Sequence, residues 1–125
     1  MDQLAGKIQD SELEVMRVLW KAAGPIPLIE IRRMLSAKRG WEDSTVKTLL
    51  RRLCEKGIVK LERRGVYCAV VTEAEYKQWS TRHYVGKVFE GSAKRLVASL
   101  LSDGQLSKAD ITELSAMFNQ EERNG

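Results

Sequence analysis

The 125-residue chain has little of what disulfide scaffolds, metal centres and membrane spans require. It has two cysteines, Cys54 and Cys68, without C-x-x-C spacing, and one histidine, His83. These cannot complete a common zinc set and give no sign of a secreted framework, although a Cys54–Cys68 bridge stays open on sequence grounds. No run approaches the ~18 consecutive apolar residues of a membrane span. The start, Met1-Asp2-Gln3-Leu4, lacks the basic segment and apolar run of a secretory leader. A reduced, soluble, cytoplasmic protein is the expectation. Nor does the chain hold a phosphate-binding glycine loop, an H-E-x-x-H motif or a nucleophile set. No enzyme, no cofactor and no metal are therefore expected.

What is present begins with an uneven charge. The net charge is +4, from 21 Lys and Arg against 17 Asp and Glu. Residues 1–71 hold 14 basic and 9 acidic side chains, whereas residues 72–125 hold 7 and 8. The whole positive excess lies in the first part. Nucleic acid or an anionic membrane surface would explain it, and ordinary surface variation is the bland alternative.

Periodicity divides the chain in the same place. A first helix is read over about residues 11–23, capped by Asp10 or Ser11, with Glu12 and Glu14 at the positive end of its dipole. Leu13, Met16, Leu19 and Trp20 share one face, broadened by Val15 and Val18. Gly24-Pro25 stops it. A second helix runs from near Pro27 to about Ala37 with Ile31, Met34 and Leu35 inward. Trp41, in the polar connection that follows, is read as a core plug. Ser44 is read as the cap of a third helix over residues 45–56, ended by Gly57. The period then changes to two. One strand is read over 58–62, with Val59 and Leu61 in phase, and another over 66–71. Arg63-Arg64-Gly65 forms the tight turn between them. Thr72 caps a fourth helix running through Tyr76, Trp79, His83, Tyr84 and Val88. A fifth helix spans about 92–101, and a last one opens at Ser107 with Asp110 three residues on. Gln120 to Gly125 is polar and expected to fray. The fold class is mainly α with a small β-hairpin: a winged helix-turn-helix domain over residues 1–72, then a helical dimerisation segment over 73–125.

The third helix carries the functional reading. Val46, Leu49, Leu50 and Leu53 cluster on one side, with Cys54 at the margin. At about 100° per residue, Thr48, Arg51, Arg52 and Glu55 project from the opposite side. Thr45, Lys47, Thr48, Arg51 and Arg52 are candidate DNA contacts on a helix of major-groove dimensions. Arg51 offers a two-pronged donor to a guanine edge, while Lys47 and Arg52 suit phosphates. Arg63 and Arg64 at the hairpin tip would reach the backbone or minor groove. Residues 38–65 hold nine basic and four acidic side chains. The alternative for each is a solvated surface charge, and for the whole domain a protein-interaction adaptor without specific DNA binding. Cys54 reads as a small packing residue or a redox-sensitive thiol. Cys68 leaves its side of the strand open, and His83 reads as a surface or interface residue.

The last third is too apolar for isolated short helices. Val85, Val88, Phe89, Leu96, Val97, Leu100, Leu101, Leu106, Ile111, Leu114, Met117 and Phe118 are the candidate dimerisation residues. Two-fold pairing would bury them and place two recognition helices on successive half-sites. Folding back on the N-terminal domain is the alternative.

These blocks also resemble a known family. Ser11-Glu12-Leu13-Glu14-Val15-Met16-Arg17-Val18-Leu19-Trp20 is similar to the opening helix of bacterial repressors that include the penicillinase and methicillin-resistance repressors and a copper-responsive branch. Thr45 to Leu53, with Lys56-Gly57, resembles their recognition helix and its stop. Arg64-Gly65 with Tyr67 resembles the wing, and Phe89-Glu90-Gly91-Ser92 with Leu96-Val97 the start of their dimerisation segment. The likeness runs over residues 8–118. It implies a homodimeric winged-helix repressor on palindromic, double-stranded DNA operators, controlling antibiotic-response or metal-response genes. For the antibiotic-responsive members it also implies a sensor and protease pathway that cleaves the C-terminal region. Where those members have an Asn-Phe bond this chain has Ser99-Leu100, and the cysteine pairs of the copper branch are absent. Arg51 stands where Asn is usual.

Overall fold

The computed structural model describes residues 8–124; the Met1-Asp2-Gln3-Leu4 start and Gly125 lie outside them. Of these, residues 8–81 form one compact unit and residues 82–124 a second, the boundary falling within a helix.

In the first unit, α1 (Asp10–Ala22), α2 (Leu28–Arg39) and α3 (Asp43–Glu55) surround one core, with β1 (Ile26–Pro27) between α1 and α2. β2 (Val59–Arg63) and β3 (Val66–Ala69) follow, and α4 (Glu73–Val88) begins. The sheet is antiparallel in the order β1-β3-β2. Val15, Met16, Ile31, Leu35, Val46, Leu50 and Leu53 are wholly buried. The apolar stripes read at helical spacing therefore meet as expected, with Leu13, Trp20, Met34, Trp41 and Cys54 at the core's margin.

Gly57, at φ +77°, ends α3 in the left-handed region that favours glycine, and Ile58 N–H donates to the Leu53 carbonyl at 3.0 Å. Gly65, at φ +74°, turns the hairpin in the same way. Trp20 closes the far side: its Nε1–H donates to the Val71 carbonyl at 2.8 Å, and its ring lies 5.5 Å from that of Tyr76.

Several expectations are corrected. The cap of α1 is Gln9, not Asp10 or Ser11, and that of α3 is Glu42, not Ser44. Val59 and Leu61 keep one regular register against β3, but sharing a phase does not bury both: Val59 is buried and Leu61 is 55% exposed. β2 turns Leu61 to solvent, while β3 stays packed, with Val66 buried. The register also shifts between Leu61 and Arg63, so that two steps along β2 match one along β3. The second strand ends at Ala69 rather than residue 71. β1 was not read from the sequence. It pairs Ile26 with Tyr67 and Pro27 with Val66, and Leu28 N–H donates to the Gly65 carbonyl at 2.8 Å. A proline fits there because the strand is an edge.

The second unit contains the end of α4, α5 (Ala93–Ser102) and α6 (Lys108–Asn124). α6 continues through the polar stretch expected to fray, reaching Asn124. Ser92 caps α5, accepting from Arg95 N–H at 3.2 Å. Ser107 caps α6 reciprocally: Asp110 N–H donates to its Oγ at 3.0 Å, and Ser107 N–H donates to Asp110 Oδ2 at 2.9 Å. The Ser107 backbone N–H, then the Ser107 hydroxyl, hold the Asp110 carboxyl below its usual range. None of the three helices has a buried residue.

Candidate nucleic-acid interface

The outer face of α3 is built by the same pattern that fills the core. With Val46, Leu49, Leu50 and Leu53 inward, Thr45, Lys47, Arg51 and Arg52 stand exposed and Thr48 half-exposed. Arg63 and Arg64 are exposed at the hairpin tip.

Ion pairing then sorts the basic residues of the 38–65 span. Lys38 Nζ and Arg39 Nη2 are taken by Glu14, at 3.5 and 2.5 Å. Lys56 Nζ lies 2.6 Å from Glu12 Oε1, and Lys60 Nζ 3.2 Å from Glu62 Oε1. Lys47, Arg51, Arg52, Arg63 and Arg64 have no ion pair among the described residues. These five are the cations chosen from sequence as DNA contacts. Of the acids near the start of α3, Asp43 lies 3.9 Å from Arg32 Nη1 of α2, which draws negative charge toward α2.

The carboxylates that neutralise the other cations were read from sequence only as dipole partners. Glu12 and Glu14 are instead 1% and 7% exposed, the buried charged residues of the core. Glu14 also accepts from Arg17 at 2.8 Å. The hydrogen bond from Arg39 holds the Glu14 carboxyl below its usual range, aided by the charges of Arg39, Lys38 and Arg17 and opposed by desolvation. No local signal reveals this, because Arg39 is 25 residues away and Lys56 is 44 from Glu12.

A groove of about 420 Å³ runs beside the face, lined by Ser11, Trp41, Ser44, Thr45, Thr48, Leu49 and Arg52. Ser11 and Ser44 were not chosen as contacts from sequence. Ser44 lies one turn before Thr48, a spacing that would have found it; Ser11 comes from another helix and carried no such signal.

The cysteines are both free. Burial, then the charge of Glu55, pushes the Cys54 thiol up, which disfavours the thiolate. Cys68 Sγ–H points to the Ala69 carbonyl at 3.6 Å. His83 is exposed on α4. Among the described residues no group of His, Cys, Asp and Glu is placed to hold a metal, and no helix is long and apolar enough to cross a membrane.

The candidate dimerisation residues lie in the second unit and the adjoining stretch of α4. Val88, Val97, Leu101, Ile111, Leu114, Met117 and Phe118 are 42–64% exposed, while Val85, Phe89, Leu96, Leu100 and Leu106 are half-buried. Val97, Leu101, Leu106, Ile111, Leu114 and Phe118 line an open groove of about 380 Å³. Ser99-Leu100 falls inside α5.

Comparison with known proteins agrees with this geometry. The family model described as penicillinase repressor matches residues 8–120. The penicillinase repressor of Bacillus licheniformis is 31% identical over 117 residues, covering 91% of each chain. The methicillin resistance regulatory protein MecI of Mammaliicoccus sciuri is 30% identical, covering 96% of this chain and 99% of its own. The solution structure of the DNA binding domain of the repressor BlaI is similar at a TM-score of 0.50 and 38% identity, covering 55% of this chain and 87% of that one. The match over nearly the whole length, on a winged helix-turn-helix framework, places the chain in the penicillinase repressor family of winged-helix, DNA-binding repressors.

Proposed function

We propose that the protein is a homodimeric transcriptional repressor that reads palindromic operators with the outer face of α3 and touches the DNA backbone with the hairpin tip. The observation that carries this is the sorting of charge. Lys47, Arg51, Arg52, Arg63 and Arg64 have no acidic partner among the described residues, whereas the four other cations between residues 38 and 65 are paired. Arg51 and Thr48 are assigned to base edges, and Lys47, Arg52, Arg63 and Arg64 to phosphates, with Thr45 at the start of the helix. The DNA-binding part is residues 1–72 and the dimerisation part 73–125. The groove of α5 and α6 supports the second assignment, since water-exposed leucine and phenylalanine at helical spacing favour a matching surface. The names of the relatives support genes of an antibiotic response as the regulated set. The cytoplasm, where operators are, is the assigned location.

Selection from a pool of randomised duplexes at fixed salt tests the reading. Enrichment of one inverted repeat is expected. Equal retention of all sequences across a range of salt would refute operator recognition, and a tight protein partner in its place would favour an adaptor. Sedimentation at low micromolar concentration should give a dimer; a monomer would remove the homodimer.

A further inference from the structure

We infer that Glu12 is a positioning residue for DNA reading: through Lys56 its buried carboxylate fixes the orientation of α3 against α1. The inference rests on the proposed reading of α3 as the recognition helix. Glu12 lies in the first turn of α1 and is 1% exposed. Its Oε1 accepts from two donors, the Gln9 backbone N–H at 2.9 Å and Lys56 Nζ at 2.6 Å. Its Oε2 is buried without a hydrogen-bond partner among the described residues. Lys56 is the C-cap of α3: its own backbone N–H donates to the Arg52 carbonyl at 3.0 Å, and Gly57 N–H donates to that of Cys54 at 3.0 Å. One carboxylate therefore ties the start of α1 to the end of α3.

Most of what these two helices bury together is apolar. Val15, Met16 and Leu19 of α1 share the core with Val46, Leu50 and Leu53 of α3. Apolar contact is non-directional, so the area these residues bury does not by itself single out one orientation of the two helices. The contact to a buried carboxylate is different, because Glu12 Oε1, also held by the Gln9 N–H, loses its charged partner if the end of α3 moves out of reach. Its contribution to stability is small, since the desolvation of the Glu12 carboxylate offsets its attraction to the half-buried Lys56. Direction, rather than stability, is what such a pair supplies here. Thr48, Arg51 and Arg52 must meet a fixed pattern of base edges and phosphates, and a small rotation of α3 would misplace all three.

The test replaces the pair by apolar groups of similar size, Glu12→Leu with Lys56→Met, in the full chain. The probes are the duplex that the wild-type chain enriches from a random pool and a scrambled duplex of equal composition. The expected result has three parts. The thermal midpoint is held or raised, the salt dependence on scrambled duplex is unchanged, and the ratio of enriched to scrambled affinity falls at least tenfold. A retained ratio overturns the inference, as does a fall that only tracks loss of folded protein. If the double variant does not fold, Glu12→Asp keeps the charge and withdraws it by one methylene. Its ratio should fall with the salt slope unaltered, and an unchanged ratio overturns the inference. Residual dipolar couplings of α3 amides against those of α1, in the DNA-free chain, separate the two readings. If the wild-type chain enriches no sequence, operator reading fails, while a reoriented α3 in the variant still supports the role of Glu12 and an unmoved α3 refutes it.

Discussion

The two units use apolar residues in opposite ways. Every buried hydrophobic residue among the described ones lies between Ile8 and Val71, while α5 and α6, with comparable helical stripes, bury none. In the first unit three helices and a hairpin supply enough surfaces to close a core, leaving a polar and cationic outside. In the second, α5, α6 and the end of α4 leave their apolar stripes uncovered among the described residues. A stripe of leucines thus has one meaning where the chain provides a cover and another where it does not. The first unit leaves unpaired cations on its outside, and the second leaves an apolar groove.

That contrast can be broken most strongly in the core. Leu50→Ala, at a wholly buried position, should cost about 2–5 kcal/mol. Urea unfolding should show that loss at any protein concentration. Phe118→Asp, at a position 64% exposed, should instead act through assembly. A roughly thirtyfold weaker dimer is expected, the ~2 kcal/mol of an interface anchor. Sedimentation across a dilution series checks it, and an unchanged dimer would show that the groove is covered some other way.

Smaller effects sharpen the comparison on the charged side. Arg51→Ala should cost about 1–3 kcal/mol on the enriched duplex and relax its sequence preference. Lys47→Ala should weaken all duplexes alike and lower the salt slope by about one. Binding titrations at several salt concentrations separate the two; identical losses would mean the base and phosphate roles are misassigned. The smallest effect is acid dependence. The Glu14 carboxyl is depressed in the folded chain, so its stabilising contribution is complete above its unfolded value, about 4.3, and fades as pH falls through the folded value. Glu14→Gln should therefore flatten the loss of thermal stability on acidification below that point, and an unflattened profile would show that other carboxylates govern it.

Much of this was legible locally. The stripe Val46, Leu49, Leu50, Leu53 turned Lys47, Arg51 and Arg52 outward, because a helix obeys its own period whatever it packs against. The Thr72 cap, with Glu75 N–H donating to its Oγ1 at 3.1 Å, and the Ser107 cap with Asp110 are reciprocal bonds within three residues. What stayed hidden was long-range or context-dependent. Leu61 looked like half of an alternating strand, but alternation fixes only which residues share a side, not whether a helix lies beneath them. The caps of α1 and α3 fell on Gln9 and Glu42, because where a helix begins depended on how the chain enters the core as well as on the side chain at its end.

The amino-acid sequence by itself determined the helices, the glycine that ends α3, the basic hairpin turn and which face of α3 is polar, because each follows from periodicity and from contacts a few residues apart. Only the tertiary structure decided that Glu12 and Glu14 are buried, and that they take Lys56, Lys38 and Arg39 out of the pool of unpaired cations. The physical reason is that a charge's environment is set by the elements folded against it. The partners of these two carboxylates are brought to them by packing, across distances in the chain at which sequence pattern carries no signal.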